Sequence, residues 1–188
     1  MPEAPLERTE HGLVPKGDGW FVLNARDAQW DHTKGLGSAC FFESEHVKFP
    51  QLGFNVNVLR PGDKGGMYHA EGNQEGFLVL AGEGVVIVEG EERPLKPWDY
   101  FHCPADTPHV LVATGTEPFV YVAAGRRRPK DEPSRMVYPV DETAQKYGAG
   151  VTEETTEPRK AYEGFDLTPG PYHEGDLPDC SSRSPEPA

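Results

Sequence analysis

The chain has 188 residues, which is enough for one domain with a sizeable hydrophobic core but short for two full domains. Its formal net charge of −13 argues against partners that are themselves strongly negative, such as nucleic acid or an anionic membrane. No stretch approaches the roughly 18 apolar residues of a membrane-spanning helix, and the N-terminal segment lacks the apolar core of a signal peptide. We therefore expect a soluble, cytoplasmic protein that has neither nucleic acid nor a membrane as a partner.

Short strand-like segments separated by turns fill the central part of the chain. The 21 glycines and 19 prolines suit many short strands better than long helices. Segment 54–59 alternates apolar and polar residues strictly, as a half-buried strand does. In chain order, the predicted strands are 20–25, 39–43, 54–59, 66–71, 77–81, 85–89, 92–95, 100–103, 109–113 and 119–124. Because no helix is predicted between these strands, the pattern indicates an all-β protein, an antiparallel sandwich or barrel.

The two ends of the chain differ in composition from this central domain, which we place at 20–128. Residues 1–19 are polar and contain glycine and proline, which predicts a loose N-terminal arm. Residues 129–188 form an acidic, proline-rich extension, yet Asp141 and Gly148 are suitable first and last residues for a short capped helix. We expect this extension to pack along the barrel over 136–165 and to be ordered only to about residue 165.

The cysteines do not form a recognisable site. Cys40, Cys103 and Cys180 are far apart and odd in number, so they match neither a CxxC zinc motif nor a disulfide framework, and a reducing compartment is expected. Neighbouring residues on a strand face opposite sides, so His102 and Cys103 cannot both point at one site. We expect Cys103 in the core.

Four side chains are spaced as ligands of a metal ion. His69 and Glu71 are two residues apart, so on an extended strand they leave the same face. Glu75 follows a turn at 72–74 and precedes an apolar strand, and His109 follows a proline-rich turn. Two imidazoles and one or two carboxylates predict a site for a divalent transition metal, with Fe, Mn, Zn or Ni as the fitting ions.

Burial inside a barrel strengthens this prediction, because a buried carboxylate is costly unless it is paired with a cation or protonated. Glu71 has two possible roles: it is a ligand, or it is an acid that orients His69 or a bound water. Tyr68, Phe77 and His102 are the residues expected to line the pocket around the ion.

The segment from Gly62 to Gly82 follows a known motif. In that motif a glycine and a spacer precede His-x-His, and three or four residues later comes a glutamate, followed after six residues by a glycine. His69 stands at the first histidine position, Glu71 at the second and Glu75 at the glutamate position. The interval from Glu75 to Gly82 matches without adjustment.

A second motif follows at 104–109, where Pro104 begins the turn and His109 is its histidine. Together the two motifs, within about 54–124, resemble those of the cupin superfamily. The resemblance implies a cupin jelly-roll barrel (a double-stranded β-helix), here with a short helical or irregular C-terminal extension. It also implies metal binding by His69, Glu71, Glu75 and His109, and pairing as a homodimer.

The resemblance leaves several functions open, since one fold hosts many chemistries. The first hypothesis is a small metal-dependent enzyme, either dioxygenase-like or a Lewis-acid isomerase or decarboxylase, acting on a small polar or chelating substrate. The alternative is a non-catalytic module that binds a small molecule, with a structural or absent metal. The basic run at 126–130 has two interpretations: it binds an anionic substrate, or it is the solvated end of a strand.

Overall fold

The computed structural model describes residues 1–129 and 131–179, and these fold into β-strands with two short helices. The strands are β1 (Leu6–Thr9), β2 (Gly12–Pro15), β3 (Gln29–Thr33), β4 (Gly37–Cys40), β5 (Leu52–Leu59), β6 (Glu75–Ala81), β7 (Gly84–Val88), β8 (Glu91–Leu95), β9 (Tyr100–Cys103), β10 (His109–Ala113), β11 (Phe119–Arg126) and β12 (Thr168–Pro171). The helices are α1 (Glu142–Lys146) and α2 (Pro158–Ala161). No helix in the described part of the chain is long and apolar enough to cross a membrane.

Two antiparallel sheets form the body of the protein. The larger has the order β12-β3-β4-β5-β11-β6-β9, and the smaller has the order β10-β7-β8. Every pairing between these strands is antiparallel. The predicted all-β antiparallel architecture is therefore confirmed.

The main core lies between the two sheets. Phe77 and Val79 of β6, together with Phe119 of β11, belong to one buried cluster that also holds Val86 of β7 and Leu111 of β10. Successive residues of a strand face opposite sides, so alternate positions of each strand supply this core.

The outer faces of both sheets are covered by segments from the chain ends. Ala144 of α1 and the nearby Ala149 pack against Ile87 on the smaller sheet. On the larger sheet, Trp30 of β3 is 1% exposed and its ring lies 5.9 Å from that of Tyr172, which follows β12. From the N-terminal side, Leu23 and Ala25 pack against the same cluster around Trp30, so both ends of the chain contribute to burying the sheets.

The first predicted strand, 20–25, is wrong, and the strand that occupies this part of the sheet, β3, was not predicted. Trp20 forms an isolated bridge with Glu3, while Leu23 packs as irregular chain against the cluster around Trp30. The apolar residues of 20–25 are thus explained by packing against this cluster, and not by pairing in a β-sheet. In β3 only Trp30 is apolar, and it is the only buried residue of the strand. The strand forms nevertheless because β4 and β12 pair with it on both sides.

Segment 66–71 is also not a regular strand. Its backbone forms isolated bridges to two different segments, from His69 to His109 and from Ala70 to Val137. Each neighbour pairs with only one residue, so no continuous ladder develops.

The chain ends contain more regular structure than their composition indicated. The predicted arm at 1–19 contains the hairpin β1–β2, in which Leu6 pairs with Pro15. The predicted helix after Asp141 is present: the Asp141 side chain accepts a 2.8 Å hydrogen bond from the Ala144 N–H, and Gly148 has φ +65° just beyond the helix.

The extension continues past residue 165 to β12, which pairs with β3 at the edge of the larger sheet. The two prolines of β12 are compatible with this edge position, because an edge strand does not need every N–H. Cys40 and Cys103 are buried free thiols, and Cys180 lies outside the described residues.

Candidate metal centre

The centre is built on a backbone pairing between His69 and His109. The His69 N–H donates to the His109 carbonyl at 3.1 Å, and the His109 N–H donates to the His69 carbonyl at 2.8 Å. Residues directly opposite in an antiparallel pair put their side chains on the same face. The two imidazole rings accordingly lie with their centroids 5.1 Å apart.

Glu75 completes the group from β6. It is the first residue of that strand and alternates with Phe77 and Val79, both of which face the main core. The same periodicity turns the Glu75 side chain inward. One potential ligand atom from each of His69, Glu75 and His109 lies within 4.8 Å of the others.

Hydrogen bonds set the tautomer of both histidines. His69 Nδ1 lies 2.7 Å from the Met67 carbonyl oxygen, and His109 Nδ1 lies 3.0 Å from that of Thr107. A carbonyl oxygen only accepts, so in each ring Nδ1 carries the proton and Nε2 keeps its lone pair. Nε2 is therefore the atom that each ring offers as a ligand.

Burial keeps all three groups uncharged in the metal-free protein. Desolvation lowers the pKa of His69, and it lowers the pKa of His109 to about 4, with the nearby His69 adding to the effect. Desolvation also raises the pKa of Glu75 to about 8, and the charge of Glu71 adds to it.

The arrangement fits a divalent metal ion. Glu75 Oε2 is buried without a hydrogen-bond partner and lies 3.5 Å from His109 Nε2, which has no proton to donate. Two acceptors facing each other need a proton or a cation between them. Two imidazole nitrogens and a carboxylate oxygen suit Fe, Mn, Zn or Ni.

Glu71, the fourth predicted ligand, is not part of this close group. It lines the same cavity as Glu75 and is half-buried there. The negative charge of Glu71 nevertheless affects Glu75, whose pKa it helps to raise. This position is compatible with the role of a nearby acid that the sequence left open.

Of the three predicted pocket-lining residues, only Phe77 borders the centre. Its ring centroid lies 5.3 Å from that of His109. Tyr68 is buried in the separate cluster under α1, and its hydroxyl accepts a hydrogen bond from the Gly90 N–H. His102 is exposed on the outer face of β9, whereas its neighbour Cys103 is buried in the core as expected.

The placement of Tyr68 and His102 at the pocket is therefore wrong. Each is adjacent in sequence to a residue that faces inward, His69 and Cys103 respectively, so alternation turns both away from the centre. Burial raises the pKa of the Cys103 thiol to about 12, so this cysteine contacts His109 as a packed, uncharged group.

The sequence missed two tyrosines that the C-terminal extension brings to the centre. The Tyr138 ring lies 5.9 Å from that of His69, and the Tyr162 ring lies 5.9 Å from that of Tyr138. The Tyr162 hydroxyl accepts a 3.2 Å hydrogen bond from the Met67 N–H, next to the carbonyl that orients His69. The only sequence signal was that both tyrosines are apolar anchors in an otherwise polar extension.

Comparison with known proteins identifies the family. Residues 55–125 match the cupin domain model, and this segment holds β6, β10 and all three residues of the close group. Residues 55–125 are therefore a cupin domain. The expected jelly-roll type of all-β fold is thereby confirmed.

Two sequence relatives and one structure are similar to this chain. Glucose-6-phosphate isomerases from Pyrococcus horikoshii and Pyrococcus abyssi are 33% and 32% identical over 92 residues, covering 42% of this chain and 49% of each relative. The match thus spans about half the length of those relatives. The polyketide cyclase RemF from Streptomyces resistomycificus is 14% identical with a TM-score of 0.52, over 66% of this chain and 89% of that one. This last similarity concerns the fold alone.

Proposed function

We propose that this cupin is a metal-dependent enzyme that acts on a small chelating substrate at His69, Glu75 and His109. The observation that carries the proposal is the meeting of two unprotonated imidazole nitrogens with a buried, unpartnered carboxylate oxygen. Without a cation there, the carboxylate form of Glu75 would be desolvated without compensation, so the side chain would have to keep a proton instead.

Isomerisation of a hydroxycarbonyl compound is the reaction that we favour. A divalent ion held there supplies Lewis-acid polarisation of the substrate's carbonyl and hydroxyl oxygens. We assign Glu71, which lines the cavity but lies outside the close group, as the carboxylate that moves the proton. It accepts the proton from the carbon beside the carbonyl and returns it to the former carbonyl carbon, while the proton of the substrate's hydroxyl group moves to the former carbonyl oxygen.

Two further observations support this choice. The sequence relatives are isomerases of a phosphorylated aldose, although the match spans about half of their length. The aromatic rings of Phe77 and Tyr138 flank the two histidines and keep that side of the centre apolar, which strengthens electrostatic interactions within it.

A second candidate function rests on the composition of the close group. Two histidines and one carboxylate are the ligand set of non-haem Fe(II) oxygenases. A dioxygenase that cleaves a catechol or an enediol would use the same three residues, with Fe as the resident metal.

The experiment compares metal content with two kinds of turnover. The full chain is purified without added ions, its metal is measured by mass spectrometry, and it is then incubated in D2O with glucose 6-phosphate and related aldose phosphates. Deuterium incorporation at the carbon beside the carbonyl, followed by NMR, is expected for the metal-loaded protein and not after EDTA treatment. Glu71→Gln should keep the metal and lose the exchange.

The other outcomes are equally informative. Oxygen uptake with catechol by the Fe-loaded protein would favour the dioxygenase. Saturable binding without either reaction would favour the non-catalytic binding module. A protein that holds no metal and whose melting temperature ignores EDTA contradicts the proposal.

We also propose that the protein is a homodimer, because the small cupins that it resembles pair in this way. A solution mass of twice the 20.7 kDa of one chain, measured by light scattering, is expected. A monomer mass at micromolar concentration would contradict it.

A further inference from the structure

A cavity of about 330 Å³ adjoins the metal centre, and its wall carries four arginines. Glu71 and Glu75 line it on one side, and Arg126, Arg127, Arg128 and Arg135 line it elsewhere. Such a concentration of guanidinium groups is notable in a chain of formal charge −13.

Strand register brings the arginine run next to the centre. Gly125 of β11 is the partner of Glu75 in β6, so the run begins one residue beyond the residue opposite a proposed ligand. Because side chains alternate, Arg127 shares the inner face with Gly125 and Glu75. A Cβ on Gly125 would lie 3.3 Å from Glu75 Cγ, so the glycine keeps the cavity open at this point.

The arginines are held in place by partners. Arg126 donates to Asn73 Oδ1 at 2.7 Å and also pairs with Glu132. Asn73 is itself 9% exposed, which anchors the base of the cavity. Guanidinium groups that are already ordered lose less conformational freedom when they bind an anion.

Arg127 and Arg128 both have N–H donors left over after the hydrogen bonds that they make within the described residues. Arg127 pairs with the nearly buried Glu43 through Nη2, but its Nε is buried without an acceptor. Arg128 donates to the carbonyls of Pro129 and Glu132 and has no carboxylate partner among the described residues. A buried donor without an acceptor costs free energy that a ligand oxygen would recover.

Arg135 reaches the cavity from the C-terminal extension. Its side chain lies across Gly72, where an added Cβ would meet Arg135 Cβ at 2.8 Å, and its guanidinium pairs with Asp106. The turn at Gly72 therefore leaves room for this side chain beside Glu71. The extension and β11 together present cationic groups to one space.

We propose that this cavity binds the anionic group of the substrate, a phosphate or a carboxylate, while the reacting end of the substrate faces the metal centre. The inference rests on the proposed function, since it names the substrate class of that site. Four guanidinium groups and three carboxyl groups line the cavity, and a divalent ion at Glu75 makes it positive overall. Arginine recognises both phosphate and carboxylate through paired N–H donors.

The test uses the full chain, with inorganic phosphate and malonate as anionic probes and glycerol as the uncharged probe. Each is titrated calorimetrically into the metal-loaded and the EDTA-treated protein. Phosphate, malonate or both are expected to bind in both states, and their relative affinities show which anion the cavity prefers. Arg128→Gln and Arg135→Gln are each expected to weaken binding roughly tenfold or more, since a charge-assisted hydrogen bond is lost. Arg159→Gln, the same substitution on the exposed surface of α2, is the control and should leave affinity unchanged.

The outcomes separate this inference from the proposed function. Failure of both anions to bind at millimolar concentration overturns it, as does anion binding that is the same in all three variants. Anion binding that occurs only with metal present also overturns it, because the ion alone would then be the binding group. A wild-type protein that takes up no metal contradicts the proposed function, while the titration of the EDTA-treated protein still decides the anion site. Metal content measured in Arg128→Gln and Arg135→Gln should equal that of wild type.

Discussion

His69 and His109 lie on separate segments, and each donates its backbone N–H to the carbonyl of the other. This reciprocal pairing fixes the two imidazoles side by side on one face. A shift of the pairing by one residue would turn one of them away, so the hydrogen bonds that join the two segments also set the distance between two proposed ligands.

Removal of one imidazole should abolish metal binding. We expect His109→Ala to reduce bound metal more than about tenfold, because two of the three proposed ligands do not hold a divalent ion against buffer and chelators. His102→Ala is the control, since that imidazole is exposed on the opposite face of its strand. Metal content by mass spectrometry checks both, and equal loss in the two variants would contradict the assignment.

The metal-free protein should become less stable as the pH rises from 6.5 to 8. The pKa of Glu75 is about 8 in the folded protein against an ordinary value of 4.5, so in this range the folded chain binds more protons than the unfolded chain. Between about pH 4.5 and 6.5, His109 has the opposite effect and makes the protein more stable as the pH rises. Its pKa is about 4 in the folded protein against an ordinary value of 6.5, so in this range only the unfolded chain holds the proton.

Urea unfolding of EDTA-treated protein at several pH values measures this slope. In Glu75→Gln the fall between pH 6.5 and 8 should disappear, since no proton is released there. Metal loading should also remove it, because metal binding needs the carboxylate form. The prediction is wrong if Glu75→Gln and wild type have the same slope.

Substitution by alanine should destabilise the protein to different extents at Gly62 and Gly82, the first and last residues of the first motif. Gly62 and Gly82 both have positive φ, +87° and +72°, but no atom lies within 4 Å of a Cβ on Gly62. A Cβ on Gly82 would lie 2.2 Å from the Pro118 carbonyl oxygen. Gly62→Ala should cost about 1–2 kcal/mol from the backbone alone, and Gly82→Ala about 1–3 kcal/mol more from the clash.

Denaturant midpoints of the two variants test the difference. Gly62→Ala serves as the control for the backbone conformation, so only the excess destabilisation of Gly82→Ala reports on the close approach. Equal stability of the two variants would contradict the prediction, because the backbone near Pro118 would then move to make room for the added methyl group at little cost.

Loss of the Tyr162 hydroxyl, which the C-terminal extension places near His69, should destabilise the protein and speed metal release. Tyr162→Phe leaves the buried Met67 N–H without an acceptor, which costs about 1–3 kcal/mol. The neighbouring Met67 carbonyl orients His69, so metal exchange should also become faster. Tyr100→Phe, at an exposed tyrosine with no hydrogen bond through its hydroxyl among the described residues, should change neither. Stopped-flow metal release to a chelator checks the kinetics, and identical rates would contradict the link.

His69 and Glu75, two of the proposed ligands, could be found from the sequence because their geometry is local. His69 and Glu75 flank one tight turn, and a strand alternates its faces, so spacing alone indicated where the side chains point. Tyr68 and His102, which were expected to line the pocket, each adjoin an inward-facing residue in sequence, and the same alternation turns both away.

The remaining features depend on long-range packing that spacing does not encode. Tyr138 and Arg135 reach the centre through an extension whose path is set by contacts with the finished barrel, such as the bridge between Ala70 and Val137. Strand β3 escaped notice because only Trp30 in it is apolar. Its strand character comes from ladder hydrogen bonds on both sides.

Anomalous diffraction at the absorption edge of the metal found in the purified protein tests the central claim most directly. The account predicts one strong peak at about 2.0–2.2 Å from Nε2 of His69, Nε2 of His109 and a carboxylate oxygen of Glu75. A map with no peak among these three side chains, from protein crystallised with the ion in excess, would contradict it.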